Sequence, residues 1–185
     1  MKIRILFVAV FLAIPFMMQA RKVSLSTNIL GYAELGTMNL EASYALSRRW
    51  NITAGVRYNP FTFNKGDSAR QFQYRQQSYS VGARLWPWHI WSGWWFAAKG
   101  RYQEYNVGGI VSPETSEGDR FGLGLYSGYT LMLSRHFNLE FGIGFWGGLD
   151  MFRTYSCPAC GLTIDQGRRA FVLPDDIMLS VVYVF

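Results

Sequence analysis

The chain has 185 residues, of which 17% are aromatic and only 16% are charged, with 19 glycines and a formal net charge of +6. Soluble domains average about 25% charged residues, so this composition favours strands that face lipid over a water-soluble domain. The basic excess is small and scattered along the chain, and it therefore does not indicate a nucleic-acid partner.

The first twenty residues predict the compartment. Lys2 and Arg4 precede an apolar run over residues 5–18, and Ala20 supplies a small residue at the expected cleavage position. This pattern is typical of a secretory signal peptide, the alternative being an uncleaved anchor. We therefore expect a signal peptide over residues 1–20 and a single domain over residues 21–185. No later apolar run approaches the ~20 residues that a spanning helix needs.

The first half of this domain contains four segments in which apolar residues alternate with small or polar ones, the period-2 pattern of β-strands. They lie at about residues 23–30, 38–46, 52–59 and 70–86. Residues 47–50 predict a tight turn between the second and third strands. Residues 60–69 carry Pro, Asn, Gly, Asp and Ser, which is loop composition.

The second half continues the pattern with strands at about residues 94–103, 121–133, 137–146 and 177–185. The connector over residues 86–91 contains three tryptophans, which we expect to lie in an aromatic girdle at a membrane interface. Residues 134–136 predict a tight turn, whereas residues 108–119 and 154–173 predict long polar loops. Short and long links alternate from the second link onwards, as expected when short turns lie on one rim of a barrel and long loops on the other. Only the first link, residues 31–36, is shorter than this pattern predicts.

The last strand shows the pattern most clearly, with large apolar residues at every second position: Ile177, Leu179, Val181, Tyr183 and Phe185. It resembles the closing strand of bacterial outer-membrane barrels, in which a terminal Phe helps the assembly machinery to recognise the chain. A soluble lipocalin-type barrel would need its apolar face inside, but here the small and polar face suits a narrow interior. The sequence therefore predicts an all-β fold, an eight-stranded antiparallel transmembrane up-and-down β-barrel closed by the strand that ends in Phe185.

Four stretches carry a more specific resemblance: residues 22–32, 39–41, 47–52 and 179–185. They resemble a family of small outer-membrane β-barrel proteins of unknown function that is common in Bacteroidota and often encoded near fimbrial or surface-assembly genes. The resemblance implies the fold and a location in the cell outer membrane. It brings no catalytic residues with it.

Six charged residues fall on the predicted inner face: Glu41, Arg57, Arg84, Lys99, Arg101 and Glu140. Glu41 and Arg57 lie at similar distances on either side of the turn at Arg48, so we expect them to face each other on adjacent strands. Buried charges must be paired or hydrated. These residues could line a pore or form a polar plug, and the narrow interior of an eight-stranded barrel favours the plug.

Cys157 and Cys160 form the sharpest local motif, a CxxC pair in the last long loop. In an exported chain, the pattern favours a loop disulfide. Free thiols and a redox or metal site are the alternatives. A zinc site needs four ligands, and the chain supplies neither a second cysteine pair nor a nearby histidine.

These features predict a structural role or a role in binding other proteins. Outer-membrane lipid and a protein of a surface complex are the expected partners, with no nucleic acid and no cofactor. The outer loops are the expected binding surface, with Arg168, Arg169, Asp175 and Asp176 exposed in the last one. The alternatives are a narrow channel and a lipid-modifying enzyme. We expect that the protein is not an enzyme. Lipid-modifying catalysis needs a histidine beside a nucleophile, and the two histidines of the sequence, His89 and His136, fall in predicted turns.

Overall fold

The chain forms a closed antiparallel β-barrel of eight strands, which confirms the predicted fold class. The structure is a computed structural model, and it describes residues 22–64, 71–110, 113–157 and 162–185. The predicted signal peptide, residues 1–20, lies outside the described residues.

Nine strands are present in the described residues, and eight of them form the ring. Their bounds are β1 (Val23–Asn28), β2 (Met38–Ala45), β3 (Trp50–Asn59), β4 (Thr62–Phe63), β5 (Phe72–Leu85), β6 (Gly93–Gly108), β7 (Thr115–Met132), β8 (Phe137–Tyr155) and β9 (Thr163–Val184). The two-residue β4 pairs only with the start of β5. Each of the others pairs with its neighbours along the chain, β3 pairs with β5, and β9 closes the ring on β1.

The links between strands fall into two sets at opposite ends of the barrel. The turn end contains the links over residues 46–49, 86–92 and 133–136, together with Lys22 and Phe185. The loop end contains the link over residues 29–37 and the described parts of three others, residues 60–64 and 71, residues 109–110 and 113–114, and residues 156–157 and 162. The two shortest links, residues 46–49 and 133–136, lie at the turn end, as the sequence predicts. The turn-end link over residues 86–92 is as long as the link over residues 156–162 and longer than the link over residues 109–114.

One loop-end link contains a short helix, α1 (Ile29–Ala33), that the sequence did not predict. Asn28 begins it: its Oδ1 accepts a hydrogen bond from the Leu30 N–H at 3.2 Å, which is the bond that an N-cap residue makes. β1 therefore ends two residues before the predicted end of the first strand. Within the described ranges, no helix is long and apolar enough to cross a membrane.

The strands differ greatly in length. β1 to β3 have 6 to 10 residues, whereas β6 to β9 have 16 to 22. The long strands project beyond the rim of β1 to β3, and we call their projecting parts, residues 103–108, 115–120, 150–155 and 163–173, the wall. The predicted loops over residues 108–119 and 154–173 were therefore too long. Their polar composition resembles that of loops, but much of each stretch continues the cross-strand pairing.

A β-bulge interrupts the pairing of β8 with β9. Ile143 pairs with Ile177 and Phe145 with Pro174, so Gly144 alone faces two residues of β9. Such an insertion re-aims the side chains on the bulged strand. It directs Asp175 into the barrel, so its predicted exposure in the last loop is wrong. The side chain of Asp176, from the same predicted loop, lies outside the described part of the structure.

Candidate functional site

The turn end of the barrel is filled by tryptophans. Trp86, Trp91 and Trp95 form a buried cluster with Ile90 and Val182, and Trp86 and Trp95 are completely buried. The aromatic connector was expected at a membrane interface, but only Trp88 of its three tryptophans is exposed, at 68%. Trp86 and Trp91 instead turn inward, because the link folds back over the end of the lumen.

Above the tryptophans lies a layer of buried charges. Arg84 Nη1 is 2.9 Å from Glu140 Oε2, and Arg84 Nη2 is 2.9 Å from Glu41 Oε1. Lys99 also contacts Glu41, and Thr130 donates a hydrogen bond of 3.1 Å to Glu140. The guanidinium of Arg84 lies 4.2 Å from the Trp95 ring centroid, a cation–π contact that joins the two layers.

The bulge residue Asp175 holds the next layer together. Its carboxylate contacts Arg101, lies 3.5 Å from Arg57 Nη1, and accepts a 2.6 Å hydrogen bond from the Tyr126 hydroxyl. The six charged residues predicted to face inward all lie in the lumen. Asp175 was not among them. Strict alternation along β9 predicts that its side chain points outward, and the bulge turns it inward.

Glu41 and Arg57 are close but not directly opposite, contrary to the expectation from the turn. Glu41 pairs in register with Gly55, and Arg57 pairs with Asn39. Glu41 makes ion pairs with Arg84 and Lys99, whereas Arg57 contacts Asp175. The two residues are thus diagonal neighbours within a larger charge network.

A third charged layer centres on Asp150, which sequence reasoning missed. Asp150 is completely buried. It accepts hydrogen bonds from the Tyr105 hydroxyl at 2.8 Å and from Arg169 Nε at 2.9 Å, and Arg120 Nε lies 3.3 Å from it. The predicted strands ended below this level. Continuing their alternation by four residues would have placed Asp150 on the inner face with Glu140.

The lumen is nearly full in its charged middle and opens at the loop end. The cavity within the charge network measures about 60 Å³, room for one or two water molecules. A cavity of about 900 Å³ opens at the loop end, where Asn59, Gln76, Tyr105, Phe152 and Arg168 are among its lining residues.

The remaining candidate residues lie apart from this network. Cys157 is disulfide-bonded, and Cys160, its predicted partner, lies outside the described residues, so their pairing stays a prediction. His89 and His136 lie at the turn end, each with Nδ1 2.9 Å from a backbone carbonyl oxygen. In the described ranges, no group of three or more His, Cys, Asp or Glu side chains could hold a metal ion.

A family model described as "Protein of unknown function (DUF3575)" matches residues 5–185, nearly the whole chain. No curated protein matches the sequence.

Proposed function

The chain belongs to the DUF3575 family of proteins of unknown function, and on that premise we propose that it is a small outer-membrane β-barrel with a structural or interaction role, whose loop end is its binding surface. The observation that supports this proposal is the direction in which the side chains of the strands point. Apart from the tryptophan cluster at the turn end, the barrel interior is lined mainly by charged and polar residues, while most large apolar side chains of the strands point out.

The outer surface supports membrane insertion. Apolar side chains stand exposed around the ring on every long strand, reaching 76% for Leu123, 71% for Leu125 and 72% for Ile177. A monomer in water rarely exposes a continuous apolar surface of this kind. In a bilayer the same surface is solvated by lipid, while the paired strands satisfy their backbone groups internally. The predicted signal peptide supports export to that membrane.

Strand length supports the loop end as the binding surface. A spanning strand needs about 9–11 residues; β3 has 10, whereas β1 and β2 have 6 and 8. The 19 residues of β8 and 22 of β9 exceed this length, so the wall would project beyond the bilayer. It would present residues of β6 to β9 to partners on that side.

The packed lumen favours a closed barrel over a narrow channel. Trp86 and Trp95 fill the turn end, and three layers of paired charges lie above them. The lipid-modifying alternative would need a histidine beside a nucleophile near lipid or the loop end. His89 and His136 both lie at the opposite end.

Reconstitution tests the proposal. Purified protein mixed with lipid should float with vesicles in a density gradient and stay with them after a carbonate wash. In planar bilayers it should give no current above the lipid background. In native cells it should fractionate with the outer membrane. Protein that stays in the soluble fraction would refute the membrane proposal, and stable single-channel currents would establish the channel instead.

A further inference from the structure

The upper part of β9 has a neighbouring strand on one side only. β9 pairs with β8 from Tyr183 up to Thr163, but β1 pairs with it only from Val184 to Ser180. Asn28 extends this contact slightly, because its side chain accepts from the Leu179 N–H at 3.0 Å and donates to the Ile177 carbonyl at 3.5 Å. Within the described residues, no strand pairs with this side of β9 between Thr163 and Asp176.

The regular part of this free edge is Thr163–Leu173, which we call the edge segment. Pro174 has no N–H to offer, and Asp175 lies in the bulge. Every residue of the edge segment except Phe171 is exposed, on both faces of the strand. It therefore presents a row of backbone donors and acceptors, which is the surface on which an added strand can pair.

On the opposite side of the wall, β6 pairs with the start of β5, and the outer edge of β5 is covered by the chain itself. There, β4 pairs with the start of β5, Thr62 with Gln73 and Phe63 with Phe72. The rings of Phe63 and Phe72 stack with their centroids 4.6 Å apart. Proteins commonly protect exposed edges in such ways. Among the described residues, α1 packs against β9, but no strand pairs with the free side of the edge segment in this way.

The side chains of the edge segment indicate what would bind there. Arg168 stands at its centre beside Arg169, whose guanidinium also binds Asp150. Ile164 lies towards one end, and Phe171, Val172 and Leu173 lie at the other. Residues directly opposite in neighbouring strands pair by charge and by apolar contact. We propose that the edge segment binds an extended strand of a partner protein, with acidic residues at the centre of that strand and apolar residues on either side.

A second copy of this chain fits the edge less well. Two barrels in one bilayer hold their β9 strands in the same direction, from the loop end to the turn end. A two-fold contact between identical edges needs the two strands to run antiparallel. This step rests on the proposed membrane function, whereas the free edge and its arginines do not.

The first test uses a defined peptide and the full chain purified in detergent micelles. The probe is a labelled peptide of alternating Thr and Val with two Glu at its centre, and binding is measured by fluorescence anisotropy. We expect saturable binding and slower hydrogen exchange at the amides of Thr163–Leu173, with no change in β2. A peptide with Lys in place of Glu should bind roughly tenfold more weakly, because attraction becomes repulsion.

Charge reversal on the protein provides the matched variant. Arg168→Glu should weaken binding of the Glu peptide roughly tenfold and strengthen binding of the Lys peptide. Arg135→Glu makes the same charge reversal at an exposed position of a turn-end link, at the other end of the barrel, and should leave both affinities unchanged. Two further peptides test backbone pairing, one N-methylated at the odd residues and one at the even residues. Only one of these two sets of N–H groups can face the edge segment, so methylation of that set should abolish binding.

Three outcomes would overturn the proposal: equal binding of both methylated peptides, exchange protection outside the edge segment, or a dimer in micelles that disappears in the Arg168→Glu variant. The last outcome would assign the edge to a second copy. Peptide binding by a protein that fails to float with vesicles would refute the proposed membrane function and leave the edge proposal standing.

Discussion

At Arg84, one guanidinium serves two carboxylates, those of Glu41 and Glu140, and all three lie inside the lumen. Replacing it with Met removes the cation but keeps much of the side-chain volume. Breaking a buried ion pair costs about 3–5 kcal/mol, because the remaining charge is left without its partner. We expect Arg84→Met to lower the free energy of unfolding by about this amount, measured by urea titration in micelles with far-ultraviolet circular dichroism.

The matched control for this change is Arg49→Met, at an exposed position in a turn-end link. It should change stability by less than about 0.5 kcal/mol. Equal effects at the two positions would show that the lumen charge is solvated rather than buried.

A double-mutant cycle tests the Arg84–Glu140 pair itself. Arg84→Met combined with Glu140→Gln should cost less than the sum of the single changes, because the second substitution removes a carboxylate that the first leaves short of a partner. The same titration measures all four proteins. Strictly additive losses would mean that the two side chains do not interact energetically.

For single residues, the sequence predicts which side chains face the lumen wherever the alternation of apolar and polar residues along a strand is unbroken. The period-2 pattern of the strands predicts that Arg84, Lys99 and Glu140 lie on the inner face, and all three are buried there. Asp175 was missed because one extra residue in β9 reverses the count. The charge balance could have indicated the missing carboxylates. The six residues predicted to face inward comprise four cations and two anions, and buried cations need anionic partners.

At the scale of elements, glycines allow facing strands to pack large rings in a narrow barrel. Gly144 of β8 lies opposite Tyr126 of β7, and a Cβ at Gly144 would collide with the Tyr126 ring. Gly144→Ala should therefore destabilise the barrel by about 1–3 kcal/mol, the usual cost of overpacking. The shift of the urea midpoint measures it.

Gly100→Ala is the control for that substitution. It makes the same change in β6, where an added Cβ would come no closer than 3.8 Å to any neighbouring atom. The control should be neutral within about 0.5 kcal/mol. A Gly144→Ala variant as stable as the Gly100→Ala variant would show that the Tyr126 ring moves aside freely.

Strand positions were predicted better than strand ends. The order of the eight ring strands and the two sets of links follow from apolar alternation and turn residues. The extent of the wall did not, because many of its residues are polar or charged on both faces and resemble loop residues in composition. Their backbone pairing depends on the neighbouring strand, as in the match of Glu117 with Arg153 across β7 and β8. Such cross-strand partners are distant in the sequence.

For the whole molecule, we expect a barrel that stays folded in detergent until it is heated. Unboiled protein should migrate differently from boiled protein on a gel, and its circular dichroism should be that of strands, because the closed ring leaves few backbone groups free for detergent to disrupt. Protein kept in urea and never refolded is the control and should migrate like the boiled sample. Identical migration of boiled and unboiled protein, with a helical spectrum, would contradict the barrel in solution.

The seam between β1 and β9 has a consequence for the order of folding. Most ring strands pair with a neighbour in the chain, whereas the seam joins Asn28 to Leu179, 151 residues apart. Contacts between distant residues form slowly, because the intervening chain must lose its freedom first. The hairpins of β5 to β9 can form early, and closure at the seam should be the slow, late step. Until closure, β1 and the lower half of β9 would both be open edges, which makes this interval the most dangerous one for aggregation.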